Sequence, residues 1–143
     1  MVVDDETIYR SAVVSYLGRT PELLALISLT QAANAAEALG LIGQYGFDLV
    51  ITDVDMGLQS LDGFELVRGL RAKGIGSFIC VHSNRIIAAD HKTAIDAGAD
   101  AFLPKPMARA QLLRMVLQAV QKQATHSSEK AVPSVATVPS AKL

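Results

Sequence analysis

Five short apolar runs, separated by longer segments with helical spacing, constrain the fold of this chain more than any other feature of its sequence. Each run is too short for a globular helix. Each is rich in Val, Ile, Leu or Phe without strict alternation, as strands buried on both faces of a sheet are. The runs are residues 1–3, 24–29, 49–52, 78–81 and 101–103. Strands that alternate with helices predict an α/β fold, a doubly wound five-stranded parallel sheet with five helices.

Polar side chains mark where two of these helices begin. Asn34 and Asp62 each lie three residues before a glutamate, Glu37 and Glu65, which is the spacing of a capping box. The last helix has a weaker start, because its cap position falls on Ala108. The spacing predicts helices that begin directly after residues 34, 62 and 108.

We expect one domain over residues 1–123 and a disordered tail or linker over residues 124–143. A length of 143 residues suits a single domain. After residue 123 the sequence has small residues and two prolines but almost no large apolar side chains. Such a segment cannot bury enough surface to offset the entropy lost on ordering.

Charge and composition exclude several classes of function. Thirteen basic against 14 acidic residues argue against nucleic-acid binding. The longest uncharged stretch, residues 23–36, contains polar side chains and falls short of the ~20 apolar residues that a membrane span needs. No signal peptide is visible, so we expect a cytoplasmic location without membrane contact. One cysteine and three scattered histidines exclude a disulfide framework and a Cys/His metal cage.

Chemically active side chains follow four of the five predicted strands. Asp4 and Asp5 follow the first, Asp53 the third, Ser83 the fourth and Lys105 the fifth. Since the carboxyl ends of parallel strands meet at one edge of a sheet, we expect these groups to converge there. Converging carboxylates repel one another unless a proton or a cation offsets their charge.

Oxygen ligands with open positions favour Mg²⁺ as that cation. A divalent ion beside a carboxylate, a hydroxyl and an ammonium group can bind and transfer a phosphoryl group. The cations neutralise its oxygens, the hydroxyl donates to one of them, and the carboxylate attacks phosphorus.

These residues resemble a two-component response-regulator receiver domain. The resemblance covers residues 1–123 and implies a flavodoxin-like sheet with strand order 2-1-3-4-5. The motifs that carry it are, in chain order, VVDD at residues 2–5, DLVITDVDM at 48–56, DG at 62–63, Ser83, and KP at 105–106.

The resemblance implies a role for each residue of the site. Asp53 is expected to accept the phosphoryl group, Lys105 to supply an ammonium group, and Ser83 to act as the switch hydroxyl. Phe102, three residues before the lysine, matches the aromatic residue whose rotamer follows phosphorylation, and an ordinary core aromatic is an equal interpretation.

The resemblance also implies the ligands of the magnesium ion. They are Asp5 foremost, Asp4 through water, Asp53 itself, and the backbone carbonyl of Asp55. Asp4 and Asp5 could instead simply favour the start of a helix.

The implied partner is a histidine kinase or a histidine phosphotransfer domain that donates from phosphohistidine. A homodimer through the fourth helix, fifth strand and fifth helix is also possible on this resemblance. Of two interpretations, a stand-alone regulator and the C-terminal receiver of a hybrid sensor histidine kinase, we expect the second.

Three residues are predicted to modulate access to the phosphoryl group. In receivers, the positions of Asp55 and Arg85 flank its entrance, and an ion pair between them could hinder the hydrolytic water. Asn84 follows the switch hydroxyl where a small residue is normal, so that access could be narrower.

Two other classes of function remain open at this point. The sequence from Asp53 to Asp55 resembles the Asp-x-Asp opening of haloacid-dehalogenase-type phosphatases. Those enzymes place an acidic pair after their lysine, whereas the only acidic residue after Lys105 is Glu129. The second alternative is a degenerate receiver, not phosphorylated and used only as an interaction surface. The complete acid, hydroxyl and lysine set argues against it, and we expect no turnover of a separate substrate.

Overall fold

A central parallel sheet organises the chain. The computed structural model describes residues 1–58, 60–85 and 87–131. All five strands pair in parallel in the order β2-β1-β3-β4-β5, which confirms the predicted sheet. The strands are β1 (Val2–Val3), β2 (Gln31–Ala32), β3 (Leu49–Thr52), β4 (Phe78–Ser83) and β5 (Ala101–Pro104).

Helices cover both faces of the sheet. They are α1 (Thr7–Gly18), α2 (Pro21–Leu24), α3 (Ala35–Gln44), α4 (Gly63–Ala72), α5 (Ala88–Ala97) and α6 (Arg109–Ala131). Buried side chains of α3, α4 and α5 pack on one face, and those of α1 and α6 pack on the other. The five predicted helices are therefore present, and the four-residue α2 is an addition to them. The fourth and fifth helices of the sequence prediction are α5 and α6.

The second strand does not lie where the sequence predicted it. The apolar run of residues 24–29 begins at the last residue of α2, and β2 follows it at Gln31–Ala32. Pro21 at the first position of α2 favours a helical turn here. Leu23, Ile27 and Leu29 pack against the core that α1 and α6 form with the sheet. These apolar side chains therefore cover the sheet and are not part of a strand.

The predicted helix starts are confirmed. Asp62 accepts from the backbone N–H of Glu65, whose carboxylate accepts from the backbone N–H of Asp62, and Asn34 caps α3 in a related way. At α6 the side chain of Gln111 accepts from the backbone N–H of Ala108, which replaces part of the missing cap.

The last helix continues through Ala131, so the boundary predicted at residue 123 falls inside it. Residues 124–131 are helical, which corrects the expectation of disorder for that part of the tail. Residues 132–143 lie outside the described residues, and the tail stays a prediction there. Within the described ranges, no helix has both the length and the apolar character that a membrane crossing requires.

Candidate functional site

The carboxyl edge of the sheet brings the predicted acidic and basic residues together. Asp4 follows β1, Asp53 follows β3 and Lys105 follows β5. The backbone fixes their neighbourhood, because the N–H of Asp53 donates to the carbonyl of Val3 at 2.9 Å and the N–H of Lys105 donates to the carbonyl of Ser83 at 2.8 Å.

Lys105 lies between the two carboxylates. Its Nζ is 2.7 Å from Oδ2 of Asp4 and 3.3 Å from Oδ2 of Asp53. The side chains of Lys105, Asp4 and Asp53 are only 1%, 3% and 7% exposed. Buried charges are tolerated when they are paired, and here one ammonium serves two acids. This arrangement is what the strand-end pattern predicted.

Burial sets the protonation behaviour of this cluster. Removal from water raises the pKa of Asp53 from 3.8 to about 6, and the nearby charge of Asp4 adds to that rise. The charge of Lys105 and the hydrogen bond from the Val54 N–H to Oδ1 of Asp53 act in the opposite direction. For Lys105, burial alone would lower the pKa, but the contacts with Asp4 and Asp53 hold it above its ordinary value.

Three consecutive acids form the part of the site that suits a cation. Carboxylate oxygens of Asp4, Asp5 and Glu6 lie within 4.8 Å of one another. Asp4 is buried, whereas Asp5 and Glu6 are exposed, so the cluster is open to solvent on one side. Oxygen-only donors with open positions fit Mg²⁺. Glu6 was not among the metal ligands predicted from the sequence.

Ser83, the residue predicted to carry the switch hydroxyl, is joined to Lys105 through the backbone. Ser83 is the last residue of β4, is 1% exposed, and pairs with Pro104 in the sheet register. Its Oγ accepts from the backbone N–H of Arg85 at 3.1 Å. Since that contact uses only an acceptor lone pair, the hydroxyl hydrogen is still available for another acceptor.

The ion pair expected between Arg85 and Asp55 is present. An Arg85 guanidinium nitrogen lies 3.5 Å from the Asp55 carboxylate. Arg85 has a second and closer partner that the sequence did not suggest, because its Nε lies 2.9 Å from Oδ2 of Asp90 in the first turn of α5. The side chain of Asn84 reaches the hydroxyl of Tyr9 on α1, at 3.3–3.4 Å.

Phe102 packs on the face of the sheet that is covered by α3, α4 and α5. It is partly buried, packs against the core under α4 and α5, and meets the ring of His91 edge-on with centroids 5.7 Å apart. This contact connects β5 to α5. It is consistent both with a rotamer switch and with an ordinary core aromatic at this position.

Gly63 is a residue of the site whose role the sequence did not explain. A Cβ at this position would lie 2.0 Å from the backbone oxygen of Asp53. The N–H of Gly63 also donates to the carbonyl of Val54 at 2.9 Å. A side chain here would therefore push away the backbone that carries Asp53. The Asp-Gly pair at 62–63 was the available signal.

Comparison with known proteins agrees with this geometry. The profile of the family described as "Response regulator receiver domain" matches residues 1–117. The chain belongs to this family. Response regulator MprA of Mycobacterium ulcerans (strain Agy99) is 34% identical to this receiver domain over 139 residues, which are 95% of this chain and 55% of MprA. The chain spans about half the length of the curated relatives it matches.

Solved structures share the fold of this receiver domain. Chemotaxis response regulator CheY4 of Vibrio cholerae has a TM-score of 0.68 and 26% identity, covering 82% of this chain and 94% of that one. A CheY-like receiver domain from Methanospirillum hungatei JF-1 has a TM-score of 0.75, covering 87% and 94%. Its identity is 22%, so it speaks for the flavodoxin-like fold alone.

Proposed function

We propose that this receiver domain takes a phosphoryl group from phosphohistidine onto Asp53. The donor is a histidine kinase or a histidine phosphotransfer domain. The observation that supports this most is the position of Lys105, which contacts both Asp4 and Asp53 in a buried setting. An acceptor carboxylate beside a fixed ammonium group can take on a phosphoryl dianion that would otherwise repel it.

In the proposed transfer, a carboxylate oxygen of Asp53 attacks phosphorus. The bond from phosphorus to the imidazole nitrogen breaks, its electron pair stays on that nitrogen, and an acyl phosphate forms on Asp53. The Val54 N–H holds Oδ1 of Asp53, while Oδ2 faces Lys105, so the carboxylate is oriented before the donor arrives. Lys105 then neutralises a phosphoryl oxygen, and the hydroxyl of Ser83 donates to another.

A magnesium ion is part of this proposal. The residues to hold it are Asp5, Asp4, Asp53 and the backbone carbonyl of Asp55, with Glu6 as an added candidate from the acid cluster. When bound, the ion supplies positive charge that offsets the carboxylates and the transferring phosphoryl group.

The signal leaves the site through a two-state change in our proposal. Ser83 moves toward the phosphoryl group, and Phe102 changes its packing against α5. The surface of α5, β5 and α6 then becomes the face for a partner or for a homodimer. We further propose that the domain is a cytoplasmic signalling module that binds neither nucleic acid nor a membrane.

The family match supports a receiver over the alternatives raised by the sequence. A haloacid-dehalogenase-type phosphatase would need an acidic pair after its lysine. Glu129, the only acid there, lies on α6 next to His126, with 3.7 Å between its carboxylate and Nδ1 of the histidine. The paired Lys105, Asp4 and Asp53 also argue against a degenerate receiver, so we expect phosphorylation of the domain itself without turnover.

The test uses acetyl phosphate with a radiolabelled phosphoryl group and Mg²⁺. Wild-type protein should become labelled and Asp53→Asn should not. Asp48→Asn is the matched control, because Asp48 precedes the other end of β3 and is exposed. Persistent labelling of Asp53→Asn would place the acceptor elsewhere and overturn the proposal.

A further inference from the structure

The ring of Tyr9 packs against the ammonium group of Lys105. Tyr9 is the third residue of α1 and is partly buried. Its ring centroid lies 3.8 Å from Nζ of Lys105. A cation over an aromatic face at this distance is attracted to the electron density of the ring, and more strongly when water is excluded. The Lys105 side chain is 1% exposed, so water is excluded here.

The ammonium group is thus held by three different neighbours. Asp4 and Asp53 form ion pairs with it at 2.7 and 3.3 Å, and the centroid of the Tyr9 ring lies 3.8 Å from it. A lysine has a long, flexible side chain whose rotamers must be restricted before its charge can act at a fixed point. The two acids alone cannot do this during transfer, since one of them becomes phosphorylated.

Tyr9 is itself fixed by contacts with β4 and the loop after it. The ring of His82 meets it edge-on, with centroids 6.1 Å apart and an angle of 86° between the planes. Its hydroxyl contacts the side chain of Asn84. His82 and Asn84 flank Ser83 in the sequence, so the ring that packs on Lys105 is supported by both neighbours of the switch hydroxyl.

We propose that Tyr9 is a positioning residue for phosphoryl transfer, and that its aromatic face keeps the Lys105 ammonium directed at the Asp53 acceptor. The proposal rests on the function proposed above. It assigns the effect to the ring and not to the hydroxyl, because the hydroxyl contact with Asn84 is long and exposed. The side chain acts through Lys105 and does not touch the reacting atoms.

The first experiment compares Tyr9→Phe with Tyr9→Leu. With acetyl phosphate and saturating Mg²⁺, we expect Tyr9→Leu to lower the rate constant of phosphorylation on the order of tenfold. Tyr9→Phe should stay within about twofold of wild type. Tyr16→Leu is the control, because Tyr16 is a partly buried tyrosine of the same helix that packs against the α1–α6 core. Mg²⁺ affinity should be unchanged in all three variants.

A second series separates ring electronics from shape. Phenylalanine with one, two or three ring fluorines at position 9 keeps the size of the ring but progressively weakens its negative face. The phosphorylation rate constant should fall stepwise along this series while the melting temperature stays constant. This series tests the role of the ring even if Tyr9→Leu fails to fold.

Equal rates along the fluorinated series would overturn the role of Tyr9. That outcome leaves the proposed function intact, provided wild type is labelled and Asp53→Asn is not. If Asp53→Asn is still labelled, the acceptor assignment fails first, and the role given to Tyr9 fails with it.

Discussion

The pocket formed by Asp4, Asp53 and Lys105 and its proposed entrance at Arg85 and Asp55 contain the same kind of ion pair in two different surroundings. In the pocket, Lys105 and Asp4 are at most 3% exposed and lie 2.7 Å apart. At the entrance, Arg85 and Asp55 are 42% and 68% exposed and lie 3.5 Å apart. Water and salt screen the entrance pair, whereas the pocket pair interacts in a medium of low dielectric constant. The difference implies that the pocket pairs control the stability of the fold and the protonation of Asp53. The entrance pair should act mainly by limiting the access of water.

Removing Lys105 should have the largest effect on folding. Lys105→Met leaves Asp4 and Asp53 buried without their shared cation, so we expect the free energy of unfolding to fall by about 3–5 kcal/mol. Lys92→Met is the exposed control, because Lys92 forms an ion pair with Asp96 but its side chain is 78% exposed. Its loss should change stability by less than about 0.5 kcal/mol. Urea denaturation at pH 7 without Mg²⁺ measures the stability of both variants. Equal losses of stability would contradict the difference inferred between buried and exposed ion pairs.

The pocket was largely predictable from the sequence, and the supporting contacts were not. Parallel strands bring residues at their carboxyl ends together whatever the details of packing, so the meeting of Asp4, Asp53 and Lys105 followed from the order of the motifs. The contact of Arg85 with Asp90 depends on where the first turn of α5 lies relative to the end of β4. The contact of Tyr9 with Lys105 depends on how α1 is rotated, which is set by packing in the core.

The misplaced second strand has a similar cause. A short apolar run is consistent with a buried strand and with a loop that covers the core, and periodicity does not separate the two. At residues 24–29 the second possibility holds, while the strand itself, Gln31–Ala32, has an exposed glutamine and only two residues. Its sequence carries too few apolar side chains to mark it.

The second prediction concerns the charge on Asp53 itself. Its pKa is raised from 3.8 to about 6 in the folded protein, so the folded state binds this proton more tightly than the unfolded state. Without Mg²⁺, wild type should therefore lose stability as the pH rises from about 4 to about 6. Relative to wild type, Asp53→Asn should gain up to roughly 3 kcal/mol at pH 7 and almost nothing at pH 4.

Thermal and urea unfolding between pH 4 and pH 7 measure this difference. Glu22→Gln is the control, because Glu22 is an exposed acid on α2. Its difference from wild type should not change in this way with pH. If Asp53→Asn and Glu22→Gln show the same pH dependence, burial does not control the charge of the Asp53 carboxylate as the comparison requires.

The smallest effect on stability is expected at the entrance. Asp55→Ala removes only the exposed pair with Arg85, so stability should change by less than about 0.5 kcal/mol. Arg85→Ala also deprives the buried Asp90 of its partner at 2.9 Å and should cost about 1–2 kcal/mol. The difference between the two variants reports the contribution of Asp90 and is measured by the same urea titration.

The lifetime of the phosphorylated state separates the geometric role of the entrance from its stability role. If the Arg85–Asp55 pair hinders the hydrolytic water, both Asp55→Ala and Arg85→Ala should shorten that lifetime, by up to about fivefold for an exposed pair. Loss of label after removal of acetyl phosphate measures the decay. A shorter lifetime in Asp55→Ala with unchanged stability would show an entrance that acts on water access alone. An unaltered decay rate in both variants would refute this gating role, and Arg85 would then serve only to neutralise Asp90.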